Sequence, residues 1–131
     1  MIPKYRAFCD GKMYPVLGLF WDEDGLEVNL GSVSGLDDRA NWRDARDLVL
    51  MAWTGLWDKN GVEIYERDVL RVMHFNNGGV THPKMIVEWE PVYAEWLLAC
   101  SDYSFGIGVE QRQLEVYGNI YENPELLKEK S

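Results

Sequence analysis

The chain has 131 residues, 47% of them hydrophobic, with six Trp and seven Tyr; this suits one compact domain or two small lobes and excludes a disordered chain. Its formal charge is −9, from 22 acidic against 13 basic side chains, and both halves are acidic, so no basic stripe is available to neutralise phosphates and direct nucleic-acid binding is disfavoured. Cys9 and Cys100 lie far apart and read as isolated thiols of a reducing compartment, the start MIPKYRAFCDGK lacks an apolar signal core, and no apolar run approaches the ~18 residues of a membrane helix; a cytoplasmic protein without membrane contact is expected.

Residues 4–8 (KYRAF) alternate, Asp10-Gly11 is a tight-turn pair, and MYPVLGLFW follows as the second arm of a hairpin, with Pro15 placing that arm at an edge or bulge. Asp22-Glu23-Asp24-Gly25 is an acidic turn into LEVNL, where Leu26, Val28 and Leu30 share a face. The first thirty residues thus read as a three-stranded antiparallel unit. Residues 31–47 are irregular: Gly31, Ser32, Ser34 and Gly35 mark a loop, and Asp37 or Asp38 would cap a short helix carrying Ala40, Trp42 and Ala45.

LVLMAWTGL is a buried-looking strand with Val49, Met51 and Trp53 on one face. Asp58-Lys59-Asn60-Gly61 is a strong turn signal; Val62, Ile64 and Tyr65 lead to a second reversal at Glu66-Arg67-Asp68 and to the alternating VLRVMHF. Asn76-Asn77-Gly78-Gly79 is a further hairpin loop, followed by strands at 84–89 and 94–100. Tyr93, Trp96, Leu97 and Cys100 also fit a helical stripe, but Pro91 and the β-rich setting favour strand. The last strand is LEVYGNIY, with a bulge suggested at Gly118. The tail starts a helix, with Asn123 as cap, Pro124 at the first helical position and Leu126-Leu127 docking back.

Many short strands with turns at eight- to twelve-residue intervals indicate a mainly β protein with few short helices. The expected division is an N-terminal β-rich lobe with an irregular connection (1–50) and a C-terminal lobe (51–131) laid out like an SH3-like barrel. There is no internal repeat and no low-complexity tract.

The string TGLWDKNGVEIYERDVLRV, with VYGNIYENPELL near the C-terminus and KYRAF…KMYPV at the start, resembles the YopX family of small phage- and prophage-encoded proteins. Thr54, Gly55, Leu56, Asp58, Asn60, Gly61, Glu63, Ile64, Tyr65, Glu66 and Asp68 match one family motif. Gly118, Asn119, Ile120, Tyr121, Glu122, Asn123, Pro124, Glu125 and Leu126 match a second. The resemblance implies a β-rich two-lobed fold with an SH3-like C-terminal barrel, self-assembly, and no enzymatic activity, in a family of unassigned function. One departure is Arg67, where the family has Gly. A positive φ there would strain Arg by about 1 kcal/mol; a type I turn would accept it.

His74 and His82 are the only histidines, and nothing near them has the tight clustering of a zinc site, so no metal and no other cofactor is expected. Asp58, Glu63, Glu66 and Asp68 put four carboxylates within eleven residues, a grouping that would suit glycoside hydrolysis. Turn formation accounts for Asp58 and Asp68 without catalysis. Gly78-Gly79 is followed by no Lys-Ser/Thr pair, and Ser32, Ser34, Ser101 and Ser104 lack a Gly-x-Ser-x-Gly frame. Trp53, Trp57, Trp89, Tyr93, Trp96, Tyr117 and Tyr121 are more aromatics than the core of so small a lobe accommodates, and are candidate interface or binding residues. The function expected is a self-assembling, non-enzymatic interaction module in a bacterial host, whose partner is itself or a host or phage protein. The competing readings are a nucleic-acid-associated accessory or DNA-mimic protein, and a hydrolase using the acidic turn residues between Asp58 and Asp68.

Overall fold

A computed structural model describes residues 3–31, 41–74, 80–81, 84–108 and 113–127. The fold is mainly β, and the chain divides after Ala52 into two compact units.

In the first unit, β1 (Tyr5–Cys9) pairs antiparallel with β2 (Lys12–Pro15) across Asp10 (φ 52°) and Gly11 (φ 80°). Two consecutive positive φ angles are what a two-residue type I′ hairpin requires. Pro15 ends β2, an edge strand, where its missing N–H breaks no ladder. On its other side β1 pairs with the first half of β6 (Val49–Trp57), in register from Tyr5↔Ala52 to Phe8↔Val49.

The expectation of one three-stranded unit over the first thirty residues is not met. The second arm splits, because the Val16 N–H donates to Tyr5 O at 3.1 Å, continuing the first sheet, while the next N–H, of Leu17, donates to Asn29 O at 2.8 Å in a different one. The second sheet has the order β3 (Gly18–Asp22), β4 (Gly25–Asn29), β5 (Trp42–Asp44). Trp42 is therefore in a strand, not in the expected helix: Asn29↔Trp42 pairing and the 2.8 Å bond from Leu30 N to Asn41 O draw the segment into the sheet. After β5 the chain makes a 3₁₀ turn, Ala45–Asp47, capped by Asp44. The expected caps Asp37 and Asp38, and Ala40, lie outside the described residues. Ala7, Cys9, Val28 and Leu30 form the core, flanked by Leu19, Leu26 and Leu50.

In the second unit the end of β6 pairs with β7 (Glu63–Tyr65), with a register shift between Trp53 and Trp57. The larger sheet runs β12 (Ser104–Gly106), β11 (Glu95–Ala99), β10 (Met85–Glu90), β8 (Asp68–His74), β13 (Leu114–Asn119), and the short β9 (Val80–Thr81) adds to the end of β8. Among the described residues no ladder joins β12 to β13, so the SH3-like closure is not among these pairings. The strand expected over 94–100 is present as β11, Glu95–Ala99. The bulge expected at Gly118 is present, the register of β13 shifting between Val116 and Gly118. Ile64, Leu70, Val72, Met85, Val87, Leu98, Ile107 and Leu114 make the core. Each large aliphatic side chain among them contributes roughly 1.5–3 kcal/mol by leaving water. The Asn76–Gly79 loop, Phe75 and His82 lie outside the described residues.

Candidate interaction surface

The two motifs that dominate the sequence build the second unit. Thr54 is buried, donates its hydroxyl to Ile64 O at 2.8 Å and accepts the Leu56 N–H at 3.2 Å. With Gly55 at φ 90°, it shapes the irregular crossing where β6 changes register against β7. Asp58, 4% exposed, accepts three backbone N–H groups: Asn60 (2.8 Å) and Val62 (2.9 Å) on Oδ1, Val116 (2.9 Å) on Oδ2. Of the pair Asn60-Gly61 only Gly61 takes the left-handed conformation. Asp68, 1% exposed, accepts the Tyr65 N–H at 2.8 Å across the Glu66-Arg67 reversal. Asp58 and Asp68 are thus both engaged by turn amides, as expected of Asp in tight reversals.

The second motif forms a comparable knot. Asn119 Oδ1 accepts the N–H groups of Tyr121 (3.0 Å) and Glu122 (2.8 Å), and its amide donates to Glu122 at 2.9 Å. Asn123 holds the cap position, its C=O accepting the Leu126 N–H at 3.0 Å, but its side chain does not cap: Oδ1 turns back to accept the Asn119 N–H at 3.2 Å, and Pro124–Leu127 is a single 3₁₀ turn. Leu126 does dock back, its side chain lying over Gly118.

The seven candidate aromatics fall into separate groups. Trp53 and Trp57 meet edge-to-face with ring centroids 5.0 Å apart; the Trp53 indole N–H donates to Leu56 O at 3.1 Å, and Trp57 stays 41% exposed. Trp89 and Trp96 are direct cross-strand partners in the β10–β11 hairpin, also edge-to-face at 5.0 Å. At the turn of this hairpin Val92 and Tyr93 are the most exposed large apolar side chains described, at 79% and 77%. Tyr117 stands apart on β13, its hydroxyl accepting from Arg71 at 3.1 Å. Tyr121 sits half-buried in the turn after β13. The fold therefore gathers Trp89, Tyr93 and Trp96 on one hairpin and adds Val92 to them.

Sequence reasoning missed Val92, and in the first unit Phe20 and Trp21, both more than half exposed. The signal was available for one of the last two. Consecutive aromatics in a strand point to opposite faces, so a sheet with one covered face must expose one of them. Among the described residues no group of three or more His, Cys, Asp or Glu could hold a metal ion, and no helix is long and apolar enough to cross a membrane.

Known structures share this architecture. The crystal structure of protein EF1440 from Enterococcus faecalis is 27% identical with a TM-score of 0.53, covering 97% of this chain and 99% of its own. The crystal structure of yopX from Bacillus subtilis is 22% identical with a TM-score of 0.59, covering 98% of each chain. No curated protein matches. The family model described as YopX protein matches residues 4–128, spanning both units and both motifs, and the chain belongs to the YopX family.

Proposed function

We propose that the chain is a phage- or prophage-derived, non-enzymatic interaction module that self-assembles in the cytoplasm of its bacterial host. The observation carrying this reading is the β10–β11 hairpin. Its turn displays Val92 and Tyr93 beside a Trp89–Trp96 pair, Trp89 itself being 45% exposed. Aromatic and apolar side chains concentrated at one projecting point are what interface centres use, because they bury much area at little entropic cost. A second copy suits this turn: the four residues Pro91-Val92-Tyr93-Ala94 carry no charge, so two copies can meet through Val92 and Tyr93 with the paired Glu90 and Glu95 kept at the base of the turn. Engagement of Asp58 and Asp68 by backbone amides supports the non-enzymatic part of the reading.

Size-exclusion chromatography with light scattering tests it. The parent chain should run as an oligomer at micromolar concentration, and Val92→Glu with Tyr93→Glu should run as a folded monomer. A monomeric parent refutes self-assembly, and an oligomer unaffected by the double substitution moves the interface elsewhere.

A further inference from the structure

The outer face of the sheet formed by β3, β4 and β5 carries a second surface of different chemistry. Leu19 and Leu26 pack against the core of the first unit, so the alternate residues of these strands point away from it. Cross-strand register aligns them in rows: Gly18, Asn29 and Trp42; then Phe20, Glu27 and Asp44; then Asp22 and Gly25. A Cβ placed on Gly18 would stand 3.6 Å from the Trp42 ring, which confirms that these two residues share the face. Phe20 is 53% exposed, with Glu27 directly opposite it and Asp22 two residues along its own strand.

Among the described residues, the strands that build this face do not balance its charges. Arg46 is engaged with Asp44, its guanidinium spanning both carboxylate oxygens at 2.6–3.2 Å. Arg43, the cation of β5 itself, is in register with Val28 and therefore belongs to the opposite face. Glu27 and Asp22 remain exposed beside Phe20, and Glu23 and Asp24 extend the acidic character into the β3–β4 turn. An aromatic ring flanked by carboxylates attracts a planar cation: the ring face offers cation–π stacking and the carboxylates accept the guanidinium N–H groups.

We propose that this face docks an arginine-bearing segment of a partner protein, the guanidinium lying over Phe20 between Asp22 and Glu27. Nucleic acid does not fit, because its phosphates would meet these carboxylates. A second copy meeting this face with its own does not fit either, since it would present the same acidic turn. Arginine is favoured over lysine because its flat, weakly hydrated group stacks on a ring while keeping its fork of donors. This surface lies in the first unit and is independent of the β10–β11 hairpin.

The test is fluorescence anisotropy at low salt with a dye-labelled peptide of alternating Gly and Arg, against the same peptide with Lys for Arg. The full chain should bind the arginine peptide more tightly. Phe20→Ala and Glu27→Gln, both exposed positions, should each weaken it about fivefold with the circular dichroism spectrum unchanged. Glu90→Gln with Glu95→Gln, on the other unit, should leave binding intact. No binding by the parent overturns the proposal, as does equal binding of the lysine peptide. So does an equal loss from all the carboxylate substitutions, which would mean attraction by net charge alone.

Discussion

The Asp58 carboxylate reaches across fifty-eight positions of chain to accept the Val116 N–H at 2.9 Å while closing its own turn through Asn60 and Val62. One side chain thus fastens the β6–β7 turn to β13, and the 2.9 Å bond from Lys59 N to Leu114 O runs beside it. Asp58→Asn keeps the size but puts an amide donor where one of three donors already points, and should cost about 2–3 kcal/mol. Asp58→Ala orphans all three N–H groups and should cost more, about 4 kcal/mol. Urea unfolding with an unchanged m value measures both. A loss below about 1 kcal/mol for Asp58→Ala would mean that the carboxylate is not the fastening.

Arg67 resolves the question its sequence raised. Its φ is 72°, the left-handed region, and both of its backbone groups are committed: N–H to Val87 O at 2.9 Å, C=O to the Ile120 N–H at 3.1 Å. Pairing with β10 on one side and with the chain after β13 on the other holds the strained angle in place. The side chain gives little in return, since its 3.6 Å approach to Glu88 is between half-exposed groups. Arg67→Gly should therefore stabilise the fold by about 0.5–1 kcal/mol, while Arg67→Ala, which retains the strain, should change stability little. Thermal or urea denaturation of the two variants side by side decides this, and a destabilised Arg67→Gly would give the guanidinium a role that the geometry does not show.

What could be read from the sequence was local. Asp10-Gly11, Gly61, Pro15 and Gly118 announce a turn, a left-handed position, a strand edge and a bulge, because each is set by the conformational preferences of a residue or two. Trp42 was misplaced because its strand exists through pairing with Asn29, a distant choice that local helix signals cannot reveal. The split between Val16 and Leu17 escaped for the same reason: adjacent N–H groups find acceptors in different sheets. For the candidate surface, residue type identified aromatics but not exposure. Trp96 and Trp53 are half-buried, whereas Val92, Phe20 and Trp21, unremarkable by type or unselected, are turned outward.

Gly118 is required by its neighbour. A Cβ there would collide with Asn123 Oδ1, the atom that accepts the Asn119 N–H, and would press within 3.2 Å of Leu126. Gly118→Ala should cost about 2 kcal/mol by forcing that knot apart. Asn123→Ala removes the hydrogen bond and should cost about 1 kcal/mol. If the collision is the cause, the double variant should be more stable than the sum of the single losses predicts, because the shortened side chain at position 123 leaves room for the new methyl group. Strict additivity in a double-mutant cycle would assign the Gly118 requirement to backbone conformation instead.

Asp44 supplies a prediction in pH. It caps the Ala45–Asp47 turn by accepting the Arg46 N–H at 2.9 Å, and the Arg46 side chain adds a charged bond at 2.6 Å. The side-chain bond to Arg46, followed by the backbone bond, holds its carboxyl at about 2, below the usual carboxylate range. A depressed folded value means that this carboxylate stabilises the fold above the unfolded value of about 4, and that the contribution disappears as pH falls through about 2. The side chain is 35% exposed and solvent-screened, so the effect shows in its titration more than in global stability. Carboxyl-carbon NMR should find the Asp44 midpoint near 2, with Arg46→Ala moving it upward part of the way, because the backbone N–H remains as a donor. An ordinary midpoint in the parent would show that the Asp44–Arg46 pair does not hold in solution, and would leave the cap to the backbone bond alone.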